Sequence, residues 1–536
     1  MNRTVSRHDP VKAPRHGPMD WTAMLLIAAT AAAGVAGFAL AEMRLAGGWG
    51  FPLDDSWIHL QFARNLRAGQ GFVFNPGEPS AGATAPLWTL LVGALMWLPA
   101  DPLLSVKVVG AILLAVNGWL TCQLARATGL ERRWALLAGI TVVLTPRLLW
   151  ASLSGMEVML YVALATAGIG LHVRTMDRTP SLAGTGLLAL AALARPECLM
   201  LFPLALTDRW RRDGWRQLGR QYGRHLLLYL LLLAPFVWLN YRAIGRPLPG
   251  TFYAKVGDYG LLGSFDLGRL ARVFGLYPLL QTQELMQFSA ENSLLLTFLA
   301  PMGIVELLRR RRHARSSWML PLVIVGFPVL RGVLAPFKGA TFQQGRYAAF
   351  LIPLLTTVGV IGVRAGLRLL RDEVPRSRVD WVRRWGMTAV WGMMLFNLVP
   401  LNVYAARTYG RNVREIQTMH VSIGRWLAVH TPAEAVVAAN DIGAIGYFSG
   451  RRILDIVGLV TPDVLSYLPP GQPADRGVEQ FLNDRQPDYL VILPNWYPEL
   501  SRRQDLLRPV HEITLDRPTI AGGNRMVVYR MVWDRP

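Results

Sequence analysis

The chain of 536 residues has little cysteine and little charge. Its two cysteines, Cys122 and Cys198, both lie in apolar stretches, which gives no support to a disulfide framework or a thiolate metal site. Charged residues make up 17% of the composition and hydrophobic residues 52%, with a mean hydropathy of +0.29. This composition is too apolar for a soluble enzyme of this length and predicts a polytopic α-helical membrane protein.

Acidic residues are also scarce, with 35 Asp and Glu against 56 Lys and Arg, so the formal net charge is +21. The arginines are grouped in alternate short loops between apolar runs, which indicates cytoplasmic loops and not a nucleic-acid surface. No nucleic-acid partner is therefore predicted. The loop arginines are Arg126, Arg132, Arg133, Arg174, Arg178, and those within 209–224, 309–312 and 364–384.

The first apolar run, Trp21 to Ala41, contains no charged residue and is long enough to cross a bilayer. Basic residues precede it, which predicts a cytoplasmic N-terminus. A cleaved secretory signal is the alternative, but the run is longer than such signals, so a retained helix is favoured. Apolar runs and arginine loops together predict about eleven crossings, an odd number that puts the C-terminus outside. They begin near residues 21, 103, 134, 157, 182, 197, 225, 292, 317, 347 and 386.

The chain divides into a predicted transmembrane domain, 1–405, and an outward α/β domain, 406–536. Strand-like runs lie at 436–439, 489–493 and 526–532. NDIGAIGYFSG, after the first of these strands, lacks the spacing of a dinucleotide-binding fold and is interpreted as a tight turn.

Two predicted outward loops, 44–102 and 241–292, are too long to be simple connections. In the first, Ile58, Phe62 and Leu66 form an apolar stripe at helical spacing. This pattern predicts an amphipathic helix on the outer surface, beginning near Asp54 and ended by Gly69 and Gly71. The short apolar piece 86–98 is predicted to lie in the membrane interface.

Two adjacent carboxylates, Asp54 and Asp55, closely follow the first long apolar segment. Carboxylates beside hydrocarbon are costly to ionise, so a pair kept there is normally used as a base, metal ligand or proton carrier. A structural interpretation of equal weight is that one of them caps the helix starting here. The two roles are compatible if one carboxylate caps and the other acts as general base. His59, one turn further on, is a weaker candidate for substrate or metal binding.

Other candidates lie at predicted outward helix ends. Glu157, in LLWASLSGMEVML, is the next acidic candidate, with a helix-start role as its structural alternative. Outward cations can bind the phosphate of a lipid-linked substrate, although snorkelling to the surface is the commoner explanation for any one of them. Phosphate binding is favoured for Lys255, in TFYAKVG, and for Arg346, in QQGRYAAF. Tyr253, also in TFYAKVG, is a candidate substrate contact. The cations are Lys255, Arg195, Arg331, Lys338 and Arg346.

Six segments in order resemble the GT-C fold integral-membrane glycosyltransferases, nearest to the bacterial branch of arabinofuranosyltransferases. The segments are DDSWIHLQFARNLRAGQGFVFNPGE, LSGMEVMLY, LARPECLML, GRPLPGTFYAKVG, QGRYAAFLIP and DIGAIGYFSGRRILDIVGL. The resemblance implies an inverting transfer from a polyprenyl-phosphate sugar to an envelope glycan, lipid or protein, at the outer face of the cytoplasmic (inner) membrane.

The same resemblance implies roles for individual residues. The catalytic base falls on Asp54 or Asp55, a second outward acidic residue on Glu157, and the arginine that contacts donor phosphate on Arg346. The first external segment has no clear DxD motif, so no metal ligand is assigned, and a divalent cation is left open as a cofactor.

Two other functions remain compatible with the sequence. A lipid or glycan flippase or transporter would also use many crossings and intramembrane polar residues. It predicts charges in mid-helix, whereas the candidates cluster at outward ends, and the absence of an internal repeat argues weakly against folds of duplicated halves. A non-catalytic envelope-assembly protein acting through the outer domain is the third interpretation.

Overall fold

The computed structural model describes residues 20–256, 267–309, 317–334, 336, 338–373, 376–468 and 474–533. They form a helical part followed by a mixed β-sheet. The helices are α1 (Trp21–Ala46), α2 (Asp55–Arg67), α3 (Pro86–Leu95), α4 (Pro102–Ala127), α5 (Arg132–Val143), α6 (Pro146–Ser152), α7 (Val158–Arg174), α8 (Leu182–Ala194), α9 (Leu201–Ile244), α10 (Gly250–Val256), α11 (Leu267–Ala271), α12 (Tyr277–Asn292), α13 (Leu294–Arg309), α14 (Met319–Leu334), α15 (Phe342–Gly345), α16 (Leu351–Glu373), α17 (Arg376–Ile416), α18 (Ser422–His430), α19 (Gly443–Ser449) and α20 (Ala474–Arg485). The strands are β1 (Val436–Ala439), β2 (Arg452–Asp455), β3 (Tyr489–Ile492), β4 (Leu507–Thr514) and β5 (Arg525–Met531).

The chain is a multi-pass membrane protein, and its helices differ in apolar length. Five helices in the described part of the chain are candidate spans, and the bent pair of α5 and α6, with 57° between them, is a sixth if the two form one crossing. The predicted number of about eleven crossings is not confirmed, because several predicted crossings, α7, α8 and α14 among them, are apolar helices of fewer than 18 residues. Within the described residues, the five helices long and apolar enough to cross are Trp21–Ala46, Pro102–Ala127, Gln221–Ile244, Leu351–Arg371 and Trp385–His430.

The C-terminal part is built on a five-stranded sheet with the order β2-β1-β3-β5-β4. The strands β2, β1 and β3 are parallel, whereas β5 runs antiparallel to both β3 and β4. The three predicted strands are confirmed, while β2 and β4 were missed. Since α17 runs through residues 405 and 406, the domain boundary placed there stays a prediction.

The two segments predicted as outward loops contain helices in the described residues: 44–102 contains α2 and α3, and 241–292 contains α10, α11 and α12. The predicted bounds of α2 are close, but the helix does not have the exposed polar face expected of a surface helix. Polar residues of α2, Gln61 and Asn65 among them, are as buried as its apolar stripe. Both amides donate to the carbonyl oxygen of Phe74. Helix α2 therefore lies between the helical part and α19 of the C-terminal part.

Candidate active site

A cavity of about 660 Å³ lies where the helical part meets the C-terminal part. Three apolar lining residues, Phe327, Leu330 and Leu334, follow one face of α14 at helical spacing. The C-terminal part contributes Leu459, from the loop after β2. The polar and charged lining residues are Asp55, His59, Thr84, Glu157, Arg195, Glu197, Thr251, Arg331, Arg346 and Tyr347.

Six of the ten candidate residues from the sequence thus line this one cavity, namely Asp55, His59, Glu157, Arg195, Arg331 and Arg346. At its buried side, the Oε1 atom of Glu157 pairs with Nη1 of Arg195, and its Oε2 atom lies 3.4 Å from Nε2 of His59. His59 Nδ1 is 3.0 Å from the Thr89 hydroxyl, which fixes the imidazole ring between two partners. Burial alone would raise the pKa of Glu157, but Arg195 and His59 outweigh it and hold this pKa well below its usual range. Glu157 is therefore an ionised carboxylate that already pairs with Arg195 and faces His59.

Three successive backbone carbonyl groups of the loop before Glu157 accept hydrogen bonds from side chains of other elements. The hydroxyl of Tyr409 donates to the carbonyl of Leu153 (3.0 Å), and the hydroxyl of Ser56 to the carbonyl of Ser154 (2.6 Å). The indole of Trp88 donates to the next carbonyl, at Gly155 (2.9 Å). These buried bonds come from three separate elements, α17, α2 and α3, so the position of the Glu157 carboxylate depends on tertiary packing.

Asp55 lies on the more open side of the cavity. Its Oδ2 atom is 2.6 Å from Nη1 of Arg346, and its side chain is 31% exposed, against 1% for Glu157. Asp55 is the first residue of α2, so the helix start orients its carboxylate. Arg346 is buried, and its Nε has no hydrogen-bond acceptor among the described residues. The pair therefore combines an accessible carboxylate with a guanidinium Nε donor that has no acceptor among the described residues.

Three guanidinium groups surround the ring of Tyr347. The Cζ atoms of Arg195, Arg331 and Arg346 lie 4.6, 4.8 and 5.3 Å from its centroid. The carboxylate of Glu197 joins two of them, at 3.0 Å from Arg195 Nε and 3.4 Å from Arg331 Nη1. Sequence reasoning missed Glu197 and Tyr347, although each lies within two residues of a predicted arginine.

Asp54 does not line the cavity. Its Oδ2 and Oδ1 atoms accept hydrogen bonds, each of 2.7 Å, from the backbone N–H groups of Gly443 and Ala444 at the start of α19. A Cβ atom at Gly443 would lie 2.0 Å from the Asp54 carbonyl oxygen, so only glycine allows this approach. The capping role expected of one carboxylate is wrong for Asp54, which makes no side-chain capping bond at α2 and instead caps a helix of the C-terminal part.

We expect Asp54→Ala to weaken the attachment of the C-terminal part by about 1–3 kcal/mol, because two buried N–H groups lose a charged acceptor. Limited proteolysis in detergent should release this part faster than in the native protein. Asp463→Ala is the matched control, since Asp463 lies in the same part and its side chain is 64% exposed. Equal cleavage rates for both variants and the native chain would contradict the docking role.

The remaining three candidates, Lys255, Lys338 and Tyr253, are not placed in the cavity lining. The side chain of Lys255 lies outside the described residues. Tyr253 packs its ring under the guanidinium group of Arg246, with 4.8 Å between Cζ and the centroid. Its neighbours Thr251 and Phe252 line the cavity instead. In the described part of the chain there is no group of three or more His, Cys, Asp or Glu side chains arranged to hold a metal ion.

In comparisons with known proteins, the chain is similar to glycosyltransferases. The chain is 27% identical over 459 residues to the terminal beta-(1->2)-arabinofuranosyltransferase of Mycobacterium tuberculosis (strain ATCC 25618 / H37Rv), covering 79% of this chain and 70% of the relative. Residues 409–529 match a family model described as a domain of unknown function (DUF8728).

Two solved structures have a similar fold. The oligosaccharyltransferase of Archaeoglobus fulgidus in the apo form has a TM-score of 0.60 at 12% identity, covering 96% of this chain and 75% of that one. ArnT from Cupriavidus metallidurans in the apo state has a TM-score of 0.53 at 14% identity, covering 95% and 97%. These comparisons confirm the predicted class: the chain has the GT-C fold, and its relatives in sequence and structure are glycosyltransferases.

Proposed function

We propose that this protein is an inverting glycosyltransferase that moves a sugar from a polyprenyl-phosphate donor to a hydroxyl group of an envelope glycan, lipid or protein. One observation carries the proposal: a single cavity joins an accessible carboxylate, Asp55, to the buried cation Arg346 beside an apolar face of α14. A donor with a hydrocarbon chain, a charged phosphate and a sugar needs these three surfaces together.

Asp55 is the better candidate for the base. A general base must reach the acceptor hydroxyl and bind its proton, and the Asp55 side chain is the more exposed of the two carboxylates. Glu157 is buried and engaged by Arg195 and His59, so its proton affinity is low. Its role in the proposal is to orient those two partners toward the sugar.

Arg346 is the candidate phosphate ligand. Charge-assisted bonds from a guanidinium group to phosphate oxygens are strong and often bidentate, and Arg346 offers an Nε donor with no acceptor in the described residues. A bound phosphate would also compete with Asp55 for Nη1 of Arg346. Donor binding would then release the Asp55 carboxylate for proton transfer, which couples the two reactants.

The reaction is a single displacement. The acceptor oxygen forms a bond to the anomeric carbon as the bond from that carbon to the phosphate oxygen breaks, and the polyprenyl phosphate leaves with the electron pair. Asp55 takes the hydroxyl proton, and Arg346 stabilises the charge that develops on the leaving phosphate. Attack on the face opposite the leaving group inverts the anomeric configuration.

The proposed setting is the cytoplasmic (inner) membrane, with the N-terminus inside and the C-terminal part outside. The grouped arginines of alternate loops support this orientation, as does the predicted odd number of about eleven crossings. The cavity, bounded partly by Leu459 of the C-terminal part, would then face the outer side.

Arabinofuranose is the first sugar to test, because the similar mycobacterial enzyme is named as an arabinofuranosyltransferase. Purified protein in liposomes should be given polyprenyl-phosphate arabinofuranose, mannose and glucose in parallel, with envelope glycan as acceptor. We expect transfer from one donor and an inverted anomeric signal in the NMR spectrum of the product. Movement of intact donor across the bilayer without cleavage would instead support a flippase.

We expect Arg346→Gln to raise the KM for the donor by about 10- to 100-fold, because a charge-assisted phosphate contact is lost. The control is Arg147→Gln, which removes a cation that faces Glu291 and does not line the cavity. Its KM should stay near the native value. Equal KM values for the two variants would remove Arg346 from the donor site.

A further inference from the structure

A second cavity, the α1/α17 groove, lies between α1, α17 and the bend that joins α5 to α6. Its volume is about 480 Å³, and Leu144 and Leu149 at the bend form one wall. The Nδ2 atom of Asn402 donates to the carbonyl of Leu144 (2.8 Å), which fixes α17 against this wall. The groove is lined by Ala33, Gly34, Gly37, Phe38, Leu40, Ala41, Arg44, Leu45, Leu144, Leu149, Leu398, Val399, Asn402, Val403, Ala406 and Arg407.

The length of the groove matches one leaflet of a bilayer. From Ala33 to Arg44 the groove follows α1 for about 16 Å at the helical rise per residue. Half of the hydrocarbon thickness is about 15 Å. Helix α1 runs from Trp21 to Ala46, so Ala33 lies near its middle and Arg44 near its end. The groove therefore extends from mid-membrane depth to the level of the headgroups.

The groove has two charged lining residues, Arg44 near the end of α1 and Arg407 on α17. Both are exposed, and neither has an ion-pair partner among the described residues. All other lining residues are apolar or glycine except Asn402. A ligand that complements this lining has one long apolar chain and an anionic group at its end.

We propose that the α1/α17 groove binds an anionic phospholipid of the leaflet on the Arg44 side, with an acyl chain in the apolar channel and the phosphate group at Arg44 and Arg407. Charge complementarity and the one-leaflet length carry this assignment. The site is separate from the cavity that contains Asp55, so the proposal does not depend on the reaction assigned to that cavity.

Native mass spectrometry of the detergent-purified chain tests the site, with dioleoyl phosphatidylglycerol and dioleoyl phosphatidylcholine added at matched concentrations. We expect tighter binding of the anionic lipid to the native chain. Arg44→Gln combined with Arg407→Gln should weaken its binding at least about tenfold, since two cations at the membrane surface are lost. Arg411→Gln, one turn further along α17 and outside the lining, is the matched control and should bind like the native chain.

A groove-filling variant tests the acyl-chain part separately. A Cβ atom at Gly37 would meet nothing within 4 Å, so Gly37→Leu fills the groove without displacing the backbone. Gly37→Leu should weaken the binding of both lipids, whereas Gly37→Ala should have little effect on it. Equal affinity of the native chain for the two lipids, unchanged binding in the arginine or leucine variants, preferential binding of polyprenyl phosphate, or dimerisation through the groove would overturn the proposal.

Discussion

Asp55→Asn is expected to lower the rate of sugar transfer by about 10²- to 10⁴-fold, the usual range for loss of a general base. Asparagine keeps the shape of the side chain and a donor and acceptor for hydrogen bonding, but it cannot take the acceptor proton. Because Asp55 is partly exposed, the variant should insert and fold as the native chain does. The measurement is kcat in liposomes, with donor KM determined in parallel.

Asp54→Asn is the neighbouring control. Its side chain contacts α19 and not the cavity, so the variant should retain most of the native kcat even if the C-terminal part is held less firmly. If Asp55→Asn lowers kcat and leaves the donor KM unchanged, Asp55 acts in the chemical step. If Asp55→Asn transferred sugar at the native rate, the proposed base would be wrong.

Glu157→Ala is expected to destabilise the protein by about 3–5 kcal/mol, the typical cost of removing one partner from a buried ion pair. Among the described residues, the change leaves the buried Arg195 with Glu197 alone as a carboxylate partner, and it removes the carboxylate that faces His59. Chemical denaturation in detergent micelles, followed by tryptophan fluorescence, measures this loss.

Glu131→Ala provides the contrast, because Glu131 pairs with Arg364 at an exposed position. Surface pairs of this kind contribute about 0–1 kcal/mol, so its unfolding curve should nearly match that of the native protein. Similar losses in the two variants would mean that the buried network around Glu157 is not a main source of stability.

The sequence predicts those features that depend on neighbouring residues. Apolar length indicates α1 and α4, and β-branched residues indicate β1, β3 and β5, because hydrophobic pattern and propensity act locally. The stripe of Ile58, Phe62 and Leu66 gives the bounds of α2 correctly. Most of the predicted site residues also lie in one cavity, because their acidic and basic types at helix ends are visible without knowledge of the packing.

Features that arise from distant contacts could not be predicted in the same way. Asp54 caps a helix nearly 390 residues further along the chain, a partner that no local rule identifies. Helix α2 looks amphipathic, but its polar Gln61 and Asn65 are buried and donate to the carbonyl oxygen of Phe74, and the helix packs against α19 of the C-terminal part. Strand β2 was missed for a related reason, since its four residues become a strand by pairing with β1.

The most direct test of the active-site assignment is an electron cryomicroscopy structure of the protein in lipid nanodiscs with polyprenyl phosphate, the proposed product. We expect phosphate oxygens about 3 Å from the guanidinium group of Arg346, with the polyprenyl chain along Phe327, Leu330 and Leu334 of α14. Asp55 should then have moved away from Nη1 of Arg346. A phosphate bound elsewhere, with the Asp55–Arg346 pair intact, would contradict the account.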